Sequence, residues 1–157
     1  MKDDAKAVKP LRVVFGSDHA GGDLKRRLME AVAGMGNETE DLGTHGASPV
    51  DYPDYAVAVA ERVSMGAADA GVLVCGTGIG MDIAANKFPK IRAALLYDDF
   101  AAQYARMHND ANIAVFGART MDPEDAVKRI RIFLTQSYEG GRHQARLDKI
   151  RNIENRN

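Results

Sequence analysis

The chain has 157 residues, with 21 Lys plus Arg set against 22 Asp plus Glu, and 45% of its residues are hydrophobic. That length suits one domain with a sizeable core and is short for two. A net charge of -1 excludes a global field that would recruit nucleic acid or an anionic membrane, and no apolar run approaches the roughly 18 residues of a membrane span.

Residues 1–10 (MKDDAKAVKP) lack the apolar stretch of a secretory signal. They read as a disordered extension outside the fold, with a single domain expected over residues 11–157 and a cytoplasmic location. From Leu11 a pattern recurs: a short apolar run, a glycine or polar turn, then apolar residues three and four apart. Residues 11–15 (LRVVF) form the first strand, and Leu24, Leu28, Val32 and Met35 mark the helix after it. Residues 38–42 (ETEDL) make a polar strand nearer a sheet edge. Tyr55, Val59 and Val63 stripe a helix over 51–66, and residues 70–75 (AGVLVC) form a strand buried on both faces. A short helix (MDIAANKF), a second buried strand over 91–97 (IRAALLY) and a helix over 99–107 follow. Residues 112–116 (NIAVF) close the sheet. Asp122-Pro123-Glu124-Asp125 is a helix start with a cap, a first-turn proline and acids against the dipole. Gly140-Gly141 breaks that helix, and a last helix from about Arg142 carries Leu147, Ile150 and Ile153, with little core left to cover.

Strands alternating with helices predict a three-layer α/β/α, Rossmann-like doubly wound parallel sheet of about five strands. Ligands in that architecture bind beyond the carboxyl ends of the strands. After the first strand stand Asp18 and His19, at the mouth of a helix where freed N–H groups favour anions. The competing reading makes Asp18 a cap and His19 a solvated side chain. After the third comes the only cysteine, Cys75, followed by Gly76-Thr77-Gly78-Ile79-Gly80. Glycines let amides converge into a nest for phosphate or for a developing oxyanion, and a helix start favours a thiolate. A buried residue finishing a core strand is the bland alternative, which the adjacent nest outweighs.

The same loop makes a poor dinucleotide fingerprint, because Met81 stands where the third glycine belongs, and it lacks the Gly-Lys-Ser/Thr ending of a P-loop. His108 and Asn109 lie in a polar cluster before the last strand, Arg119 follows that strand, and Arg142 and Arg146 share one face of a helix, a pair suited to phosphate. The four histidines at 19, 45, 108 and 143 show no close ligand spacing, so neither a metal nor a cofactor is expected. A thiolate base, an oxyanion nest, a histidine and paired arginines fit removal of a proton beside a carbonyl in a small phosphorylated molecule.

Six motifs, GSDHAG, VDYPDYA, VCGTGIG with IAANK behind it, RMHNDANI, FGAR and YEGGRHQAR, occur between Leu11 and Ile153. In that order they resemble the type B ribose-5-phosphate isomerases, a family that includes galactose-6-phosphate and allose-6-phosphate isomerases. The resemblance implies interconversion of ribose 5-phosphate and ribulose 5-phosphate in the pentose phosphate pathway. Cys75 would be the base that moves a proton between C1 and C2. The Gly76, Gly78, Ile79 and Gly80 amides would hold the enediolate, and Thr77 and Asp18 would handle the substrate oxygens. His108 would assist ring opening. Arg142 and Arg146, with His19 and Arg119 nearby, would clamp the phosphate, while Tyr52 and Asn109 position the sugar. Family members are homodimers or tetramers with shared sites, which gives the C-terminal helix a second subunit to reach. One branch of the family carries a glutamate base where this chain has Met81. Asp82, the nearest carboxylate, points about 100° away on a helix. Other aldose phosphates, or a binding module without turnover, are the alternatives.

Overall fold

The computed structural model describes residues 9–156. The extension expected over residues 1–10 lies, for residues 1–8, outside the described residues, and Lys9 and Pro10 are exposed. Five strands form one sheet: β1 (Arg12–Ser17), β2 (Glu38–Asp41), β3 (Ala70–Cys75), β4 (Ala93–Leu95) and β5 (Ile113–Gly117). Six helices connect and cover them: α1 (Gly22–Gly34), α2 (Tyr52–Ser64), α3 (Ile79–Ala85), α4 (Asp99–Met107), α5 (Pro123–Thr135) and α6 (Gln144–Glu154). A 3-10 turn, Gly141–His143, leads into α6. Every strand pairing is parallel, in the order β2-β1-β3-β5-β4.

β3 lies at the centre, and all six of its residues are buried because helices cover both faces. The two-residue period of a strand divides its side chains between two cores. Val72 and Val74 join Phe15, Phe116, Leu28, Ile130 and Phe133 beneath α1, α4 and α5. Leu73 and Cys75 join Val14, Val115, Val59 and Met81 beneath α2 and α3. Each such aliphatic or aromatic side chain removed from water contributes about 1.5–3 kcal/mol. Asp122 caps α5 as its sequence requires, its side chain accepting from the Glu124 amide at 2.8 Å.

Two strand expectations are corrected. The run over 91–97 holds only a three-residue, half-buried β4 at the sheet rim, because a single partner strand supports it; Ile91 and Leu96 are buried, but Tyr97 is exposed. A short rim strand also leaves little unpaired edge. β5 does not close the sheet. It inserts between β3 and β4, where it is buried throughout.

The chain turns to opposite sides of β1, first to β2 and then to β3. This opens a crevice between the carboxyl ends of β1 and β3, the place where doubly wound sheets bind ligands. At the other end of the chain, α6 buries Leu147 but leaves Ile150 and Ile153 exposed.

Candidate active site

The crevice between β1 and β3 receives Asp18 from one side and Cys75 from the other. Asp18 follows β1 directly, and its amide donates to the Val74 carbonyl at 3.2 Å. Its carboxylate oxygen Oδ1 accepts from the Ala20 and Gly21 amides at 2.9 and 3.2 Å, closing the turn that leads into α1 at the mouth of the crevice. Gly21 must lack a side chain, because a Cβ there would lie 2.6 Å from the Val74 carbonyl oxygen. His19 Nδ1 accepts from the Val50 amide at 3.2 Å. In the neutral ring that leaves the proton on Nε2, available to donate to an anion.

Cys75 ends β3 and is 5% exposed. Its Sγ accepts the Gly78 amide at 3.1 Å, an N–H that stabilises negative charge on sulfur. Gly78 reaches that position at φ +82°, and a Cβ there would lie 2.5 Å from Leu95 Cδ1. Thr77 Oγ1 accepts the Ile79 amide at 3.2 Å. Tyr52, at the start of α2, lies across the loop so closely that a Cβ on Gly80 would stand 2.4 Å from its Cζ. Arg119 covers Gly76 from the other side, and its amide donates to the Gly76 carbonyl at 2.9 Å. Asp18, His19, Tyr52, Arg119 and the loop from Cys75 to Gly80 therefore form one rim at the carboxyl end of the sheet.

The remaining site residues lie at the opposite end. His108 caps α4, its amide bonded to the Tyr104 carbonyl at 2.9 Å, and with Asn109 it precedes the first residue of β5. Cys75 pairs with Gly117, the last residue of β5. β5 itself spans about 13 Å from one of these ends to the other. Arg92 and Arg106 brace the turn, each donating to the Asp110 carboxylate at 3.0 Å, and Arg92 Nε bonds the Asn109 carbonyl at 2.9 Å. His143, between Arg142 and Arg146, stacks on His108 with ring centroids 4.0 Å apart. Arg142 and Arg146 thus sit at the amino end of the sheet. Within one chain they do not join His19 and Arg119, so a clamp of all four draws on two copies, as the shared sites expected from the resemblance require.

Glu139 and Lys25 were missed from sequence, whereas His143 was named there only among the histidines and Asp82 only as the carboxylate nearest position 81. Glu139 carries Oε2 at 3.5 Å from Nε2 of both His108 and His143. Glu139 and His143 lie inside the YEGGRHQAR motif, and that was their only signal. Desolvation holds the His143 imidazole below the ordinary histidine value, and the neighbouring His108 and Arg142 push it the same way. Lys25, only 3% exposed, donates to Asp41 Oδ1 at 2.6 Å and to the Thr44 carbonyl at 2.8 Å. It pins the segment after β2 against the backbone of Ser17, which donates to the Gly43 carbonyl at 2.7 Å. Nothing in a helix pattern marks such a lysine. Asp82 is half-buried, its Oδ1 has no hydrogen-bond partner among the described residues, and burial pushes its carboxyl up to about 6.

Fold and site together define a doubly wound α/β protein with a thiol and an amide-lined loop at the switch point. The profile of the ribose/galactose isomerase family matches residues 13–150. Ribose-5-phosphate isomerase B of Escherichia coli is 43% identical over 145 residues, covering 92% of this chain and 97% of that protein. The structure of ribose-5-phosphate isomerase B from Clostridium thermocellum superposes with a TM-score of 0.91 at 43% identity, over 93% of this chain and 99% of that one. The enzyme of Mycoplasma genitalium, solved with bound ribulose 5-phosphate, gives 0.90 at 36% identity, over 93% and 97%. The chain belongs to the ribose/galactose isomerase family and is an enzyme of the isomerase class.

Proposed function

We propose that this enzyme interconverts ribose 5-phosphate and ribulose 5-phosphate, in the cytoplasm and within the pentose phosphate pathway, by proton transfer between C1 and C2 through an enediolate. The observation that carries the reading is the buried Cys75 sulfur held by the Gly78 amide at 3.1 Å, beside the Asp18 turn at the sheet's switch point. The thiolate takes the proton from C2, and the electron pair moves onto the C1 carbonyl oxygen. The glycine-loop amides and Thr77 face that oxygen, and the thiol returns the proton to C1. A second proton passes from the C2 hydroxyl, beside Asp18, to the C1 oxygen, beside Thr77, so that C2 becomes the carbonyl and C1 the alcohol.

The amino-end residues act on a partner's substrate. His108, Asn109, Arg142 and Arg146 stand a full strand length from Cys75 of their own chain, so a site with all of them requires two copies. Each copy gives its thiol rim to one site and its histidine and arginine pair to the other. The exposed stripe of Ile150 and Ile153 on α6 supports such packing. In that assembly His108 assists opening of the furanose ring and the arginines take the phosphate.

The test is conversion of ribose 5-phosphate in buffer with EDTA and no added cofactor, comparing wild type with Cys75→Ala. Turnover that collapses in a folded mutant supports the reading, whereas full activity in the mutant removes Cys75 as the base. One observation favours a second base: Asp82, with its unpartnered Oδ1 and raised carboxyl, has a value suited to proton transfer near neutrality. Loss of activity in Asp82→Asn with retention in Cys75→Ala would select it. Wild type inactive on ribose 5-phosphate but active on allose 6-phosphate, galactose 6-phosphate or a tetrose phosphate would change the substrate while keeping the chemistry. Tight binding of all of these without turnover would make the chain a binding module.

A further inference from the structure

We infer that His108, Glu139 and His143 form a binding site for a divalent transition-metal ion of the zinc class, built within one chain at the amino end of the sheet. Two ring nitrogens and a carboxylate oxygen, one from each residue, lie within 4.8 Å of one another. Glu139 Oε2 stands 3.5 Å from Nε2 of each histidine. That separation is longer than an ordinary hydrogen bond of about 2.7–3.2 Å, so the three groups are not locked to one another. It is close to the edge of a zinc tetrahedron: ligand bonds of about 2.0–2.1 Å place neighbouring ligand atoms roughly 3.4 Å apart. Two histidines and a glutamate are also a donor set that zinc accepts, with the fourth position left open.

The scaffold gathers the three donors before any ion arrives and leaves the final adjustment to the two rings. Glu139 is anchored by its amide, which donates to the Met107 carbonyl at 3.0 Å, one residue before His108. The His143 ring, 8% exposed, is packed against His108 at 4.0 Å with the planes 16° apart. Binding tilts the two stacked rings so that their Nε2 lone pairs converge on the ion. His108 lies 31 residues before Glu139, so the sequence shows only the Glu139 and His143 pair four apart and not the full set. A bound ion takes the His108 Nε2 lone pair, and with it any proton transfer at that atom. The inference goes beyond the isomerase reading and rests on no part of it, since binding is measured without substrate.

The experiment is calorimetric titration of zinc chloride into EDTA-treated, desalted full-length protein near pH 7.5, with wild type, Glu139→Gln, His143→Asn and Cys75→Ser. The expected result is one zinc ion per chain with a Kd of about 1–10 μM, weakened at least about tenfold by each of the first two substitutions and unchanged by Cys75→Ser. Glu139 is partly exposed, so Glu139→Gln keeps the test sound if His143→Asn fails to fold. Absence of saturable binding by wild type, or binding that Glu139→Gln leaves unaltered, overturns the site. Zinc bound by wild type and lost in Cys75→Ser assigns the ion to the thiol and overturns it equally.

Discussion

The Gly78 amide donates to the Cys75 sulfur at 3.1 Å, across a turn that only a residue at φ +82° completes. The thiol and the glycine loop are therefore one device rather than neighbours. Cys75→Ala is expected to lower kcat for ribose 5-phosphate by about 10²–10⁴, the range of a positioned proton-transfer group, with little change in the far-ultraviolet circular dichroism spectrum.

Gly78→Ala tests the turn itself. The added methyl meets Leu95 Cδ1 at 2.5 Å and the Phe116 carbonyl carbon and oxygen at 3.0 Å, in a backbone region costly to any L side chain. Loss of at least about 2 kcal/mol is expected from urea unfolding. Gly80→Ala meets chiefly the Tyr52 ring. Combining it with Tyr52→Ala should recover part of the stability that Gly80→Ala alone loses, which a double-mutant cycle reads directly.

Asp82 makes stability depend on pH. Its carboxyl, raised from its ordinary 3.8 to about 6 by burial, favours the fold while protonated. That contribution is complete below 3.8 and is lost as pH rises through about 6. Asp82→Asn removes the charge, so it should stabilise the protein near pH 8 by about 1 kcal/mol, discounted for the half-exposed side chain, and change little near pH 4. Thermal unfolding at the two pH values measures the difference.

Lys25 and Asp41 brace the segment that packs on Ser17, next to Asp18 and His19. Lys25→Met keeps the stem volume but removes the donor from the Thr44 carbonyl and leaves Asp41 Oδ1 with the Gly43 amide alone. A loss of about 1–3 kcal/mol is expected from the unmade hydrogen bonds. Chemical denaturation with an unchanged m-value would confirm a simple stability effect.

The separation of Cys75 from His108 predicts complementation. Cys75→Ala and His108→Asn chains, each inactive alone, should regain about a quarter of wild-type activity when unfolded and refolded together in equal amounts. In the twofold dimer proposed above, half of the assemblies would be mixed, and each of these would carry one intact site. No recovery would place both residues in the same site of one chain.

The order of strands and helices was legible in the letters, because a period of two or of 3.6 and the Asp122-Pro123 start are local properties of the chain. So was the place of Cys75 at the end of β3, directly before a glycine turn, because strand and turn are adjacent in the letters. What lies beside what was not legible. The β5 run reads the same at a rim as between two strands, and only the pairing of Ile113 with both Gly71 and Ala93 decides its place. The buried lysine of α1 and the meeting of Glu139 with two histidines likewise depend on contacts between distant segments. Above all, sequence order is silent about the two ends of a strand. It joins His108 and Cys75 in one list of reactive groups, while the tertiary structure sets them at opposite ends of the sheet. The sequence determined the chemical groups through local spacing; the direction of the parallel strands decided which of them one chain can bring to a single substrate.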